Sequence, residues 1–116
     1  MFALNFYSPV VADQLRSLRK TATIRLGDKS RKYQKGQIVS VLVGARYGSR
    51  QKIFDAVIDK VDVKRLADLS PREIEHDNPE IRRPEEMAVF LGQLYNREVS
   101  DEDTVTVIRF SAIKNA

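Results

Sequence analysis

A chain of 116 residues, 42% hydrophobic and 31% charged, has the size of one domain and enough apolar material for a core without staples. It contains no cysteine, which excludes disulfides, thiolate zinc sites and a cysteine nucleophile, and suits a reducing, cytoplasmic setting. The net charge of +4 conceals a split: residues 1–52 hold eleven Lys/Arg against two acids (+9), residues 53–103 hold seven against fourteen (−7), and the remainder adds +2.

Such a dipolar chain can turn a basic face to a polyanion, or its two halves can neutralise each other through salt bridges. The N-terminal MFALNFYSPVV lacks the basic start and unbroken apolar run of a signal peptide. No apolar run reaches the roughly 18 residues of a membrane span, so no membrane association is expected.

Phe2, Leu4 and Phe6 alternate with Ala3 and Asn5, which predicts a short first strand. Ser8-Pro9 then opens a helix with a stripe of Val10, Val11, Gln14, Leu15 and Leu18. Arg16, Arg19 and Lys20 fall in its expected last turns, where cations suit the helix dipole. A second strand follows, with Ala22, Ile24 and Leu26 towards a core and Thr21, Thr23 and Arg25 on the opposite face. Gly27 to Gly36 reads as a cationic loop, Gln37 to Arg46 as a strand, Tyr47-Gly48-Ser49 as a turn, and Ile53 to Val63 as another strand. Ser70-Pro71-Arg72-Glu73 is a capping box opening a short helix that Asn78-Pro79 interrupts. From Pro84 a longer helix is expected to bury Met87, Phe90, Leu91, Leu94 and Tyr95 on one face. Thr104 to Phe110 closes the chain as a strand. The order β-α-β-β-β-α-α-β predicts a single α+β domain over 1–116: a mixed, mostly antiparallel sheet curled into a small barrel flanked by helices.

Two stretches carry chemistry. Thr21, Thr23 and Arg25 line up two hydroxyls and a planar guanidinium, a set that suits a phosphate or a base edge; the plain alternative is a solvated face of good strand formers. In the loop, Lys29, Arg31, Lys32 and Lys35 surround Tyr33, and Arg46, Tyr47, Arg50 and Lys52 repeat the mixture on the next turn. Cations neutralise phosphates and tyrosine rings stack on unpaired bases, so this composition points to RNA or a nucleotide. His76 is the single histidine, and Asp55, Asp59 and Asp62 do not converge, so no metal site is expected. Glycines are too sparse for a phosphate-binding loop.

The segment Leu18-Arg19-Lys20-Thr21-Ala22-Thr23-Ile24-Arg25, followed by Tyr33-Gln34-Lys35-Gly36-Gln37-Ile38-Val39, resembles the signature of the ASCH family, small PUA-like barrels associated with RNA. The family pattern is similar to Gly-x-Lys-Thr-x-Glu-x-Arg, then an aromatic, a Gly-Asp turn and a β-branched strand. Leu18 stands where Gly is usual, Thr23 where many members have Glu, and Gln37 where Asp is commoner. The Lys-Thr-x-Thr-x-Arg form resembles the bacterial branch that hydrolyses N(4)-acetylcytidine. Carried over, that branch's lysine, second threonine and helical glutamate fall on Lys20, Thr23 and Asp77, with Glu75 as a competing carboxylate. No cofactor is implied. On a regular strand Lys20 and Thr23 would face opposite ways, so they converge only if Lys20 lies on the preceding turn. The resemblance therefore implies an RNA- or nucleotide-binding domain whose basic cleft is lined by Lys20, Thr21, Thr23 and Arg25. The alternatives are an amidohydrolase using Thr23, Lys20 and a carboxylate, or an adaptor whose acidic helices bind another protein.

Overall fold

In the computed structural model, which describes residues 2–45 and 47–114, five strands make one curled sheet in the order β1-β3-β4-β5-β2. These are β1 (Phe2–Phe6), β2 (Ala22–Leu26), β3 (Ile38–Gly44), β4 (Arg50–Arg65) and β5 (Thr104–Ala112). The helices are α1 (Pro9–Arg16), α2 (Pro71–Asp77) and α3 (Pro84–Tyr95), with a 3-10 turn at Leu66–Asp68. Only the β1–β3 pair is parallel, as a mixed and mostly antiparallel sheet requires. The curl comes from β4. Its first half pairs with β3 and its second with β5, and the β5 pairing is broken by a bulge between Ile58 and Lys60 that bends the strand.

The curl creates two cores. Inside it, Leu4 and Phe6 meet Val39, Val41, Val43, Ala56, Ile58, Ile108 and Phe110, with Ala12 and Leu15 of α1 packed against them. On the outer side of β2 and β5, Ile24, Leu26, Val105 and Val107 pack against Ile74 of α2 and Met87 and Leu91 of α3. Strand β2 is therefore buried on both faces rather than half-solvated, and Thr23 is only 3% exposed.

The two edge strands, β1 and β2, face each other across a seam with no backbone ladder between them. Side chains satisfy the open edge of β2 instead: the Ile24 amide donates to Asp77 Oδ1 (2.9 Å) and the Leu26 amide to Tyr95 Oη (3.3 Å). This explains why Tyr95, expected inside, lies partly exposed beyond the end of the α3 core face. Leu94, also expected inside, is 58% exposed.

Helix α1 is shorter than its apolar stripe implied. It ends at Arg16, Ser17 caps it, and Leu18 takes the left-handed conformation (φ 61°). The Leu18 amide donates to Leu15 O and the Arg19 amide to Gln14 O, an αL termination that favours glycine. Leu18 is consequently exposed, as is Val10 in the first turn, and Arg19 and Lys20 belong to the connection into β2, not to the helix.

Candidate functional site

Lys20 lies on this connection, the placement needed to bring it towards Thr23. It is 5% exposed, and its Nζ donates to Asp77 Oδ1 (2.9 Å) and to the Asp77 carbonyl (2.7 Å). Asp77 is the last residue of α2 and is 5% exposed. The helix sits there because Ser70 and Glu73 form its capping box and Ile74 anchors it in the outer core, while the His76 carbonyl takes the Thr21 amide at 3.0 Å. Asn78 is extended before Pro79, which stops the helix with Asp77 facing β2. Glu75 points to solvent, so Asp77 is the carboxylate of the cluster.

Across the seam, the Phe6 ring of β1 takes two cations: Lys20 Nζ at 5.3 Å from its centroid and Arg25 Cζ at 4.9 Å. Arg25 spans the gap itself. Its Nε donates to Thr23 Oγ1 (2.9 Å) and its Nη2 to the Asn5 carbonyl (3.0 Å), and neither partner is a carboxylate. Thr23, Arg25 and Lys20 thus converge around Phe6, although no hydrogen bond joins Lys20 Nζ to Thr23 Oγ1 among the described residues. Burial, the largest influence, lowers the Lys20 pKa below its ordinary 10.5; Asp77 opposes this and Arg25 adds to it. Thr21 is half-buried before β2 and held through its backbone.

The cationic loop leaves the end of β2 and runs to β3, its Gly36 amide donating to the Ile58 carbonyl of β4 (2.7 Å). Tyr33, expected to stack on a base, is instead 4% exposed within the inner core, with its hydroxyl donating to the Ala3 carbonyl (3.0 Å). A turn in which the Lys32 and Tyr33 amides both donate to Lys29 O folds the ring inwards, where burying an aromatic outweighs leaving it in a polar loop. Arg31, Lys32 and Lys35 remain exposed, and Lys29 is half-buried with its amide on Thr106 Oγ1 (2.8 Å). Arg19 is exposed and donates to Ser17 Oγ (3.3 Å). On the β3–β4 turn Tyr47 is 96% exposed, and Arg46 lies outside the described residues. Arg50 is exposed beside the Tyr7 ring (5.7 Å), and its Nη1 donates to Asn5 Oδ1 (3.0 Å).

Salt bridges do not neutralise the basic half. Among the described residues, only Lys20–Asp77 and Lys52–Asp55 join a cation of the first 52 residues to an acid of the next segment. The other bridges, such as Lys64–Glu73 and Arg65–Glu102, stay within the acidic half or on α1. No group of metal-ligating side chains occurs among the described residues, and no described helix is long and apolar enough to cross a membrane.

Asn5 and Phe6 of β1 also belong to this cluster, and nothing local in the sequence marks them. Both looked like ordinary members of an alternating strand, and only the seam reveals what they hold.

No family model and no curated protein matches the chain. Solved structures do. A protein of Enterococcus faecalis V583 from the family called DUF984 superposes with a TM-score of 0.70 at 18% identity, over 97% of this chain and 82% of that one. The ASCH domain of Lactobacillus crispatus JV V101 does so with a TM-score of 0.64 at 17% identity, over 89% of this chain and 70% of that one. A hypothetical protein, PH0355, gives 0.64 at 18% identity, over 95% of this chain and all of that one.

Proposed function

We propose that this chain, which has the fold of an ASCH domain, binds RNA or a nucleotide at the β1–β2 seam, in the cytoplasm. The observation that carries this reading is the uncompensated positive charge at the seam and on the loop that follows β2. Arg25 bridges two edge strands through a hydroxyl and a carbonyl, and Lys29, Arg31 and Lys35 make no ion pair among the described residues. A guanidinium on an aromatic ring, beside a threonine and a buried amine, offers stacking, donors and positive charge to a base and its phosphate. The test is fluorescence anisotropy with a labelled single-stranded RNA at low and physiological salt. Affinity should fall steeply as salt rises, because released counterions drive such binding. An affinity indifferent to salt would remove the phosphate contacts from the reading.

A second reading, hydrolysis of the N(4)-acetyl group of acetylcytidine, is favoured by one geometric fact. Lys20 directs two N–H groups at Asp77, so when the amine is neutral its lone pair is left to accept the Thr23 proton. Burial favours that neutral form. Thr23 Oγ would then attack the acetyl carbonyl, and the C–N bond would break with the proton passing from Lys20 to the departing cytosine amine. Water would release acetate from the acyl-threonine. Incubation with N(4)-acetylcytidine should yield cytidine from the native protein and none from Thr23→Ala. Equal turnover by both would exclude Thr23 as the nucleophile.

A further inference from the structure

Two guanidinium groups are tied to one residue at the rim of the seam. The Asn5 carbonyl accepts from Arg25 Nη2 and the Asn5 side-chain Oδ1 accepts from Arg50 Nη1, each at 3.0 Å. Asn5 belongs to β1, whose Leu4 and Phe6 turn inwards, so its own side chain lies on the outer face. Arg25 reaches the β1 edge from within the curl, and Arg50 reaches it from outside, supported by the Tyr7 ring. Bonds to two oxygens of one asparagine confine both cations to the neighbourhood of a single phosphate.

We infer that Asn5, Arg25 and Arg50 form a phosphate subsite on the rim of the seam, and that the ligand is a nucleotide or RNA strand rather than a nucleoside. This rests on the seam being a nucleobase-binding site. With Nε on Thr23 and one N–H on Asn5, the Arg25 guanidinium keeps its remaining N–H groups for a phosphate oxygen. Asn5 is a positioning residue here: it satisfies one donor of each arginine and so fixes which edge each presents. A neutral side-chain acceptor suits that role, because a carboxylate in its place would pair with Arg50 and repel the phosphate. The base would sit inwards, against Phe6, Thr23 and Lys20, with the phosphate directly outside.

Calorimetric titration with cytidine, cytidine 5′-monophosphate and a short cytidine RNA tests this, with inorganic phosphate as competitor. The monophosphate should bind about tenfold more tightly than cytidine, the scale of one charge-assisted hydrogen bond. Arg50→Gln and Asn5→Asp should each abolish that preference, and Arg50→Lys should restore part of it, which a merely structural role would not produce. Matching thermal melts of the variants establish that they are folded. RNA binding more tightly than the monophosphate would identify a diester as the natural group, and equal affinities a monoester; either supports the subsite. If cytidine and its monophosphate bind equally to the native protein, or the preference survives Arg50→Gln, the subsite is wrong while the seam reading stands. Binding of none of the three ligands would overturn both.

Discussion

The Lys20–Asp77 pair is the most deeply buried salt bridge among the described residues, its two side chains held out of water at 2.9 Å. Asp77 also takes the Ile24 amide, so its removal orphans an edge-strand donor as well as a buried ammonium. Breaking such a pair by deleting one partner costs about 3 kcal/mol or more, and Asp77→Ala should lower the unfolding free energy by about that amount in urea titrations. A loss under about 1 kcal/mol would mean that the cluster opens to water. The same pair has a pH signature. Burial holds the Lys20 pKa below 10.5 in the folded state, so between the folded and unfolded values the unfolded chain binds more protons. Stability from this group therefore rises with pH as the folded amine loses its proton, and the charged form is the costly one at lower pH. The stability difference between the native protein and Lys20→Met should shift in favour of the native protein from about pH 7 to about pH 10. A constant or shrinking difference would contradict the shift. Lys20, Thr23 and Arg25 were legible in the sequence as a motif, and Asp77 as one of two carboxylates. What β1 contributes was not legible, because nothing local marks an asparagine and a phenylalanine that act across a seam from residues some twenty positions away.

At the level of elements, the turn from α1 into β2 decides where Lys20 sits. Helix α1 spans only eight residues, and an exposed Leu18 in the left-handed region terminates it. A side chain there costs about 1 kcal/mol that glycine avoids, partly offset by the greater freedom glycine gives the unfolded chain. Leu18→Gly should accordingly stabilise the protein by about 0.5 kcal/mol or more without altering ligand affinity, measured as a rise in melting temperature. A fall would show that the Leu18 side chain packs in a way its exposure denies. The ASCH-like pattern has glycine at this position, and the backbone supplies a physical reason for it. The capping box of α2, the succession of elements along the chain and the Pro84 start of α3 all follow local rules and were readable as such, whereas the order of strands in the sheet was not. The ends of apolar stripes were not. Val10, Leu18 and Leu94 continue a helical period past the point where another element covers it, and periodicity alone does not say where the cover stops. Tyr33 failed for the opposite reason: a polar loop gave no hint that one turn folds its ring into the inner core.

For the whole molecule, the question is whether the separation of charge along the chain survives folding. It does, because the acidic half pairs mainly with its own cations, through contacts such as Lys64–Glu73 and Arg65–Glu102, and leaves the basic half available. The seam holds Arg25 at the Asn5 carbonyl, and the loop carrying the exposed Arg31, Lys32 and Lys35 meets β1 through Tyr33 at the Ala3 carbonyl, two residues or roughly 7 Å away. That is farther than one phosphate reaches and suits a short single strand laid along the seam. If four cations contact phosphates, the slope of log affinity against log salt should be about −3, and a fourfold rise in salt should weaken binding about fiftyfold. Replacing Lys29, Arg31 and Lys35 with glutamine should flatten that slope by about 2 while leaving the melting temperature nearly unchanged, since none of these groups is ion-paired among the described residues. A slope that does not respond would place the strand elsewhere and confine the ligand to a single nucleotide at the Arg25 end. A slope that falls as expected would make the loop and the seam one continuous RNA-binding track.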